Sequence, residues 1–251
     1  VGVLEIEQRD GVRRLRLNRP EKLNALSVEL VTGIENGLRD AMADAATSVV
    51  VLSGAGRAFS AGHDVEDLDA PPSEGKAPPR HRLTDTPKDM VATRRRVDEW
   101  LALWAMPKPV IAQVHGYCLG LANELVGCCD LVVCGESSRF GMPEVRQVAL
   151  FPTLGFWPDR VGVQRTKELL FTGRLVGGEE AVRLGLALEC VPDEELEARV
   201  DALAASIAEV DVDRLTLAKA AVNAWAEARG VRSAAARGAE FHAIYHRSGL
   251  D

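Results

Sequence analysis

The chain has 251 residues, 47% of them hydrophobic, and 30 Lys and Arg against 37 Asp and Glu give a net charge of −7 and a pI near 5.4. That is enough apolar material for one large domain, or a domain with a smaller appendage, and it excludes a disordered chain. No Lys/Arg cluster with interleaved aromatics occurs, so nucleic-acid binding has no support.

The N-terminus, VGVLEIEQRDG, has no basic segment followed by an apolar stretch, so no signal peptide is expected. VLEIEQ and VRRLRLN, separated by Asp10-Gly11, predict a β-hairpin. After NRPEKLNAL a helix is expected from Ser27 to about Ala43, with Ser27 as N-cap and Glu29 in the first turn. SVVVLSG (48–54) reads as a buried strand, followed by the loop GAGRAFSAGHD. Residues 69–88 are rich in Pro and charge and predict a mobile excursion. A helix then runs to about Trp104, and PVIAQV (109–114) is a strand.

The stretch GYCLGLANELVGCCD, from Gly116 to Asp130, reads as the start of a buried helix, yet it carries Glu124. An unpaired buried carboxylate costs several kcal/mol or stays protonated, so Glu124 needs a reason. The apolar run 117–134 is interrupted by Asn123, Glu124 and Asp130, which excludes an ordinary membrane-spanning helix. The strand DLVVCG and the segment SRFGMPEV follow. From Pro158 the pattern is mostly helical, with a short strand at ALECV and three helical segments from Asp193 to the end. The expected architecture is therefore α/β, with a core over 1–192 and a helical region over 193–251.

Several chemistries are set aside on spacing. The third glycine of a dinucleotide fingerprint beginning at Gly54 would fall at Phe59, and GRAFSAGH lacks the Lys-Ser/Thr of a phosphate loop. Ser60 is not in a nucleophile elbow, because position 58 is alanine. His242 and His246 have helical metal-ligand spacing but no acidic residue between them, and no metal site is expected. The five cysteines (118, 128, 129, 134 and 190) form no Cys-x-x-Cys pair, so neither zinc nor a disulfide framework is expected. These features describe a soluble, reduced, cytoplasmic protein without membrane partners.

Two glutamates remain, Glu124 and, twenty residues on, Glu144 in FGMPEV. Each alone reads as a helix-surface or salt-bridge residue. In order with NRPEKLNAL, FSAGHD, KPVIAQVHGYCLGLANELVGCCDLVV, QRTKELLFTGR and AVRLGL, they make the chain resemble the crotonase (enoyl-CoA hydratase/isomerase) superfamily over nearly its whole length.

The resemblance implies a spiral of repeated ββα turns with a C-terminal helical trimerisation region, and a homotrimer or homohexamer. Apolar stripes that include Leu203, Ile207, Leu215 and Leu217 agree with such packing. It implies an acyl-CoA thioester as substrate, with no separate cofactor. It places the backbone N–H groups of His63 and Leu121 as an oxyanion hole for the thioester oxygen, with the dipole of a helix beginning at Leu121 adding to it. Lys22, Leu23, Ala25, Ala61, Gly62, His63, Asp64, Val65, Glu66 and Gly120 would line the CoA and substrate groove. Glu124 and Glu144 would hold a catalytic water, Glu124 as base towards C3 and Glu144 exchanging the proton at C2.

Possession of both glutamates favours hydration of a 2-enoyl-CoA over isomerisation. The alternatives are an isomerase or another enolate-forming acyl-CoA enzyme, and a catalytically silent acyl-CoA-binding protein. Two departures bear on the acyl site. Gly120-Leu121-Ala122 stands where hydratases usually carry three glycines, and FPTLGFWPDRVG replaces a glycine-rich PGxGG segment. Asp64, Asp130, His115, Cys128 and Cys129 are expected to be structural.

Overall fold

A computed structural model describes residues 2–64, 86–146 and 152–247. The predicted hairpin is strands β1 (Leu4–Arg9) and β2 (Val12–Leu17), closed by Asp10 and Gly11 with φ of 46° and 80°. Positive φ at both turn residues matches the twist of the strands, which is why Asp-Gly closes hairpins. Helix α1 (Val28–Ala43) starts where predicted, with the Ser27 hydroxyl accepting from Leu30 N–H at 3.2 Å. Strand β3 (Val49–Gly54), helix α2 (Thr86–Trp104) and strand β4 (Val110–Val114) follow. Most of the excursion expected over 69–88 lies outside the described residues; Thr86 to Lys88 already belong to α2.

The stretch from Gly116 differs from its reading as the start of one helix. It opens with strand β5 (Tyr117–Leu119), and helix α3 occupies only Leu121–Gly127. Gly120 between them has φ 49° and ψ −115°, a turn open only to glycine, and the apolar run does not reveal that break. Strands β6 (Leu131–Gly135) and β7 (Arg139–Gly141) lead to a 3₁₀ turn, Pro143–Arg146. Beyond a second 3₁₀ turn (Leu154–Phe156) lie the short helix α4 (Trp157–Arg160), α5 (Val163–Thr172), strand β8 (Val176–Gly177), α6 (Gly178–Leu184) and strand β9 (Glu189–Val191). Three helices end the chain: α7 (Leu196–Ala208), α8 (Val212–Ala228) and α9 (Val231–Arg247).

The main sheet has the order β1-β2-β3-β4-β6-β9 and is parallel apart from the hairpin. Each successive turn of chain adds the next strand to one edge, and β5, β7 and β8 form a second, smaller sheet. The result is a spiral. Both faces of the main sheet are covered, so its central strands are continuously apolar rather than alternating. Val50 and Leu52 of β3 belong to the large cluster under α1, α2 and α3. Val49 and Val51 face a second cluster with Ile111, Val133 and the α7 residues Leu196, Val200 and Ala204. Leu203 and Ile207, read from sequence as part of an assembly stripe, pack against that second cluster instead. No described helix is long and apolar enough to cross a membrane.

Candidate active site

Three segments far apart in sequence meet through backbone hydrogen bonds. Ser60 N–H donates to Tyr117 O at 2.9 Å, and Leu119 N–H returns a bond to Ser60 O at 3.1 Å. This ties Ser60, at the start of the Ala61–Asp64 loop, alongside β5. On the other side, Ala61 N–H donates to Leu23 O at 2.9 Å and Leu26 N–H to Gly62 O at 2.7 Å. Leu26 and His63 form a parallel bridge. The loop is thus a short rail, held to Leu23 and Leu26 on one side and, through Ser60, to β5 on the other.

Side chains also hold the rail. Asn24, fully buried with φ 53°, donates through Nδ2 to Ala55 O and Ala58 O, both at 2.8 Å. The Ser60 hydroxyl donates to Asn24 O and accepts from Gly62 N–H. Asp64 pairs with Arg19 at 2.6 Å, and the same guanidinium nitrogen donates to Ala25 O at 2.7 Å. Asp64 therefore ties the loop to Arg19. Sequence reasoning overlooked Arg19 and Asn24, since an Arg and an Asn in loops carry no periodic signal, and weighed Ser60 only as a nucleophile.

α3 is buried along its whole length, and Glu124 is 1% exposed. Its Oε1 accepts from Thr153 N–H at 2.6 Å and from Thr153 Oγ1 at 2.7 Å. Asn123 beside it donates to Cys118 O and Gly141 O, joining β5 and β7 under the helix start, and Gly120 N–H also donates to Gly141 O. At the far end, Arg160 donates to Gly127 O and Cys129 O, capping the last carbonyls of the helix.

Burial, then Cys129 and Glu124, pushes the Cys128 thiol well up, and burial raises Cys129 to about 12. Both are core thiols rather than nucleophiles, as expected. Asp130 reaches across to β4, accepting from Val110 N–H at 2.7 Å and pairing with Lys219 of α8 at 2.8 Å. His115 Nε2 lies 2.8 Å from Gly56 O.

Glu144 sits in the 3₁₀ turn Pro143–Arg146, three residues beyond the Gly141 carbonyl that bonds Gly120 and Asn123. Its side chain, together with Val65 and Glu66, lies outside the described residues. Leu121 (7% exposed) and Phe156 (8%) are both buried in the main apolar cluster, and Phe156 stacks on Trp104 with ring centroids 6.1 Å apart. Among the described residues no group of three or more His, Cys, Asp or Glu could hold a metal ion.

The enoyl-CoA hydratase/isomerase family profile matches residues 7–250. A probable mitochondrial enoyl-CoA hydratase of Dictyostelium discoideum is 32% identical over 222 residues, covering 87% of this chain and 74% of that protein. The 2,3-dehydroadipyl-CoA hydratase of Escherichia coli is 33% identical over 202 residues, covering 76% and 70%. Among solved structures, a probable enoyl-CoA hydratase from Mycobacterium smegmatis superposes with a TM-score of 0.88 over 100% of this chain and 96% of that one, at 29% identity.

Proposed function

The chain belongs to the enoyl-CoA hydratase/isomerase family, the crotonase superfamily, and on that premise we propose that it adds water across the 2,3-double bond of a 2-enoyl-CoA thioester. The observation that supports this reading is the hydrogen-bonded rail that bridges His63 to Leu26 and ties Ser60 to β5, with the buried Glu124 on the helix that follows β5. In the proposed reaction the thioester oxygen accepts from the N–H groups of His63 and Leu121. Two fixed donors stabilise the enolate that forms as water adds, each lowering the barrier by ~3–4 kcal/mol. α3 has only seven residues, so the two donors carry more of that stabilisation than the dipole of so short a helix.

Glu124 acts as base on the water that attacks C3, and Glu144 delivers the proton to C2. Lys22, Leu23, Ala25 and the rail from Ala61 to Asp64 line the groove for CoA. We also propose a homotrimer or homohexamer, supported by the apolar side chains that α8 leaves exposed.

The test is a panel of 2-enoyl-CoAs of varied chain length, followed by loss of conjugated thioester absorbance and by product mass. Hydration is expected for the wild type, with Glu124→Gln and Glu144→Gln each losing on the order of 10²–10⁴ in turnover at little change in CoA binding. Wild-type turnover in both variants would remove the two glutamates from the chemistry; CoA binding without turnover in the wild type would favour an acyl-CoA-binding protein; a shifted double bond without added mass would favour an isomerase.

A further inference from the structure

The carboxylate of Glu124 is gripped by a residue 29 positions away, in the FPTLGFWPDRVG segment. Thr153 donates twice to one oxygen, Oε1, through its backbone N–H at 2.6 Å and its hydroxyl at 2.7 Å. The hydroxyl also accepts from Gly155 N–H at 3.2 Å. Its lone-pair side is turned to that donor, so its single proton is committed to Glu124. Two converging donors suit an ionised carboxylate, which only accepts. We propose that Thr153 is the positioning residue of Glu124, fixing the orientation of the carboxylate and favouring its charged form as the base for water attack. This rests on the hydration reading above.

The backbone around Thr153 shows what this placement requires. Leu154, Gly155 and Phe156 adopt left-handed φ of 49°, 57° and 57° in succession, which leucine and phenylalanine adopt only when their surroundings hold them there. The surroundings do hold them. A Cβ on Gly155 would stand 2.8 Å from Asn123 O, and one on Gly127 2.6 Å from Gly155 O, so the turn lies directly against α3. From the other side Gly238 of α9 presses on Pro152, where a Cβ would come 2.0 Å from its carbonyl oxygen. The turn is clamped between two helices with Thr153 aimed at Glu124.

The titratable groups on the neighbouring elements include Cys118 on β5, Cys128 and Cys129 beyond α3, Glu144 and Arg146 on the 143–146 turn, Asp159 and Arg160 on α4, and Arg232, Arg237, Glu240 and His242 on α9. Arg94, Arg95 and Arg96 of α2 are each paired with a carboxylate, and Asp98 and Glu99 lie on the same helix.

The experiment compares Thr153→Val and Thr153→Ser with wild type in kcat, KM and the pH profile of kcat/KM on a 2-enoyl-CoA. It also measures urea midpoints for Thr153→Val, Glu124→Gln and the double variant. Thr153→Val is expected to lower kcat on the order of 10- to 100-fold, the worth of one hydrogen bond to a charged group, with KM within about twofold. Losing a donor to the ionised form moves the acid limb of the profile to higher pH. Thr153→Ser, which restores the hydroxyl, should recover both, and the urea midpoints should be non-additive.

Wild-type kcat and an unmoved acid limb in Thr153→Val would overturn the proposal and leave Thr153 a packing residue; a lowered kcat that Thr153→Ser does not recover would overturn it too. If Thr153→Val does not fold, Thr153→Ala removes the same hydroxyl and is read in the same way. An inactive wild type would refute the hydration reading, and additive midpoints, measured without substrate, would refute the contact with Glu124.

Discussion

Leu121 occupies the first position of α3, where its N–H has no acceptor inside the helix. Proline is tolerated at that position and removes only the donor, so Leu121→Pro tests the oxyanion assignment. The side chain belongs to the main apolar cluster, which makes the variant less innocent than the sequence implied. Truncating a buried leucine costs about 2–5 kcal/mol. Leu121→Ala is therefore the matched control, because it shortens the side chain and keeps the N–H. Leu121→Pro is expected to fall on the order of 10²–10³ below Leu121→Ala in turnover, with urea midpoints close to each other. Equal turnover in the two variants would mean that the thioester oxygen is not bound at this N–H. Gly120, with ψ of −115°, stays outside the helical region that a following proline disfavours.

At the scale of elements, glycine contacts decide how α3 sits on the 152–157 turn. A Cβ at Gly127 would meet the Gly155 carbonyl carbon and oxygen at 2.7 and 2.6 Å, and backbone atoms held on both sides cannot yield. Gly127→Ala is expected to destabilise by about 1–3 kcal/mol and to lower turnover by displacing Glu124 from Thr153. Gly33, inside α1, has only the flexible Leu4 side chain at 3.7 Å. There alanine restricts the unfolded chain without strain, and Gly33→Ala is expected to stabilise by roughly 0.4–1 kcal/mol with unchanged turnover. Opposite signs in urea denaturation check the pair. The sequence shows two glycines in helical stretches and nothing to tell them apart.

For the whole molecule, α8 is the outlier. None of its residues is buried, yet Leu217, Val222 and Trp225 are 71%, 69% and 77% exposed. Its polar ties to the core include Lys219, which pairs with Asp130 and donates to Lys108 O, and Asn223, which donates to Trp104 O. An apolar face of this kind needs a partner, and the proposed occupant is a second copy of the chain. Light scattering is expected to give three or six times the chain mass of 27.1 kDa, and Trp225→Glu should lower it. A monomeric mass for the wild type at micromolar concentration would refute the assembly. The apolar stripe read from sequence pointed to this region but named the wrong face in part: Leu203 and Ile207 cover the sheet, and the exposed patch lies one helix later.

Local patterns were enough for the elements themselves. The Asp10-Gly11 turn, the Ser27 cap, the unbroken VVVL run of a strand covered on both faces and the anomalous Glu124 are each set by chemistry within a few residues. The ordered motifs also carried the family, because each of them is a run of particular residues within a short stretch of chain. What held Glu124 was invisible at that range. Its partner Thr153 approaches only because three left-handed residues bend the turn between α3 and α9, and Arg19 meets Asp64 across 45 residues of chain. Periodicity records which side of an element is apolar. It does not record the path by which two distant backbones meet, and that path, fixed by close glycine contacts and long-range hydrogen bonds, is what tertiary structure alone decided.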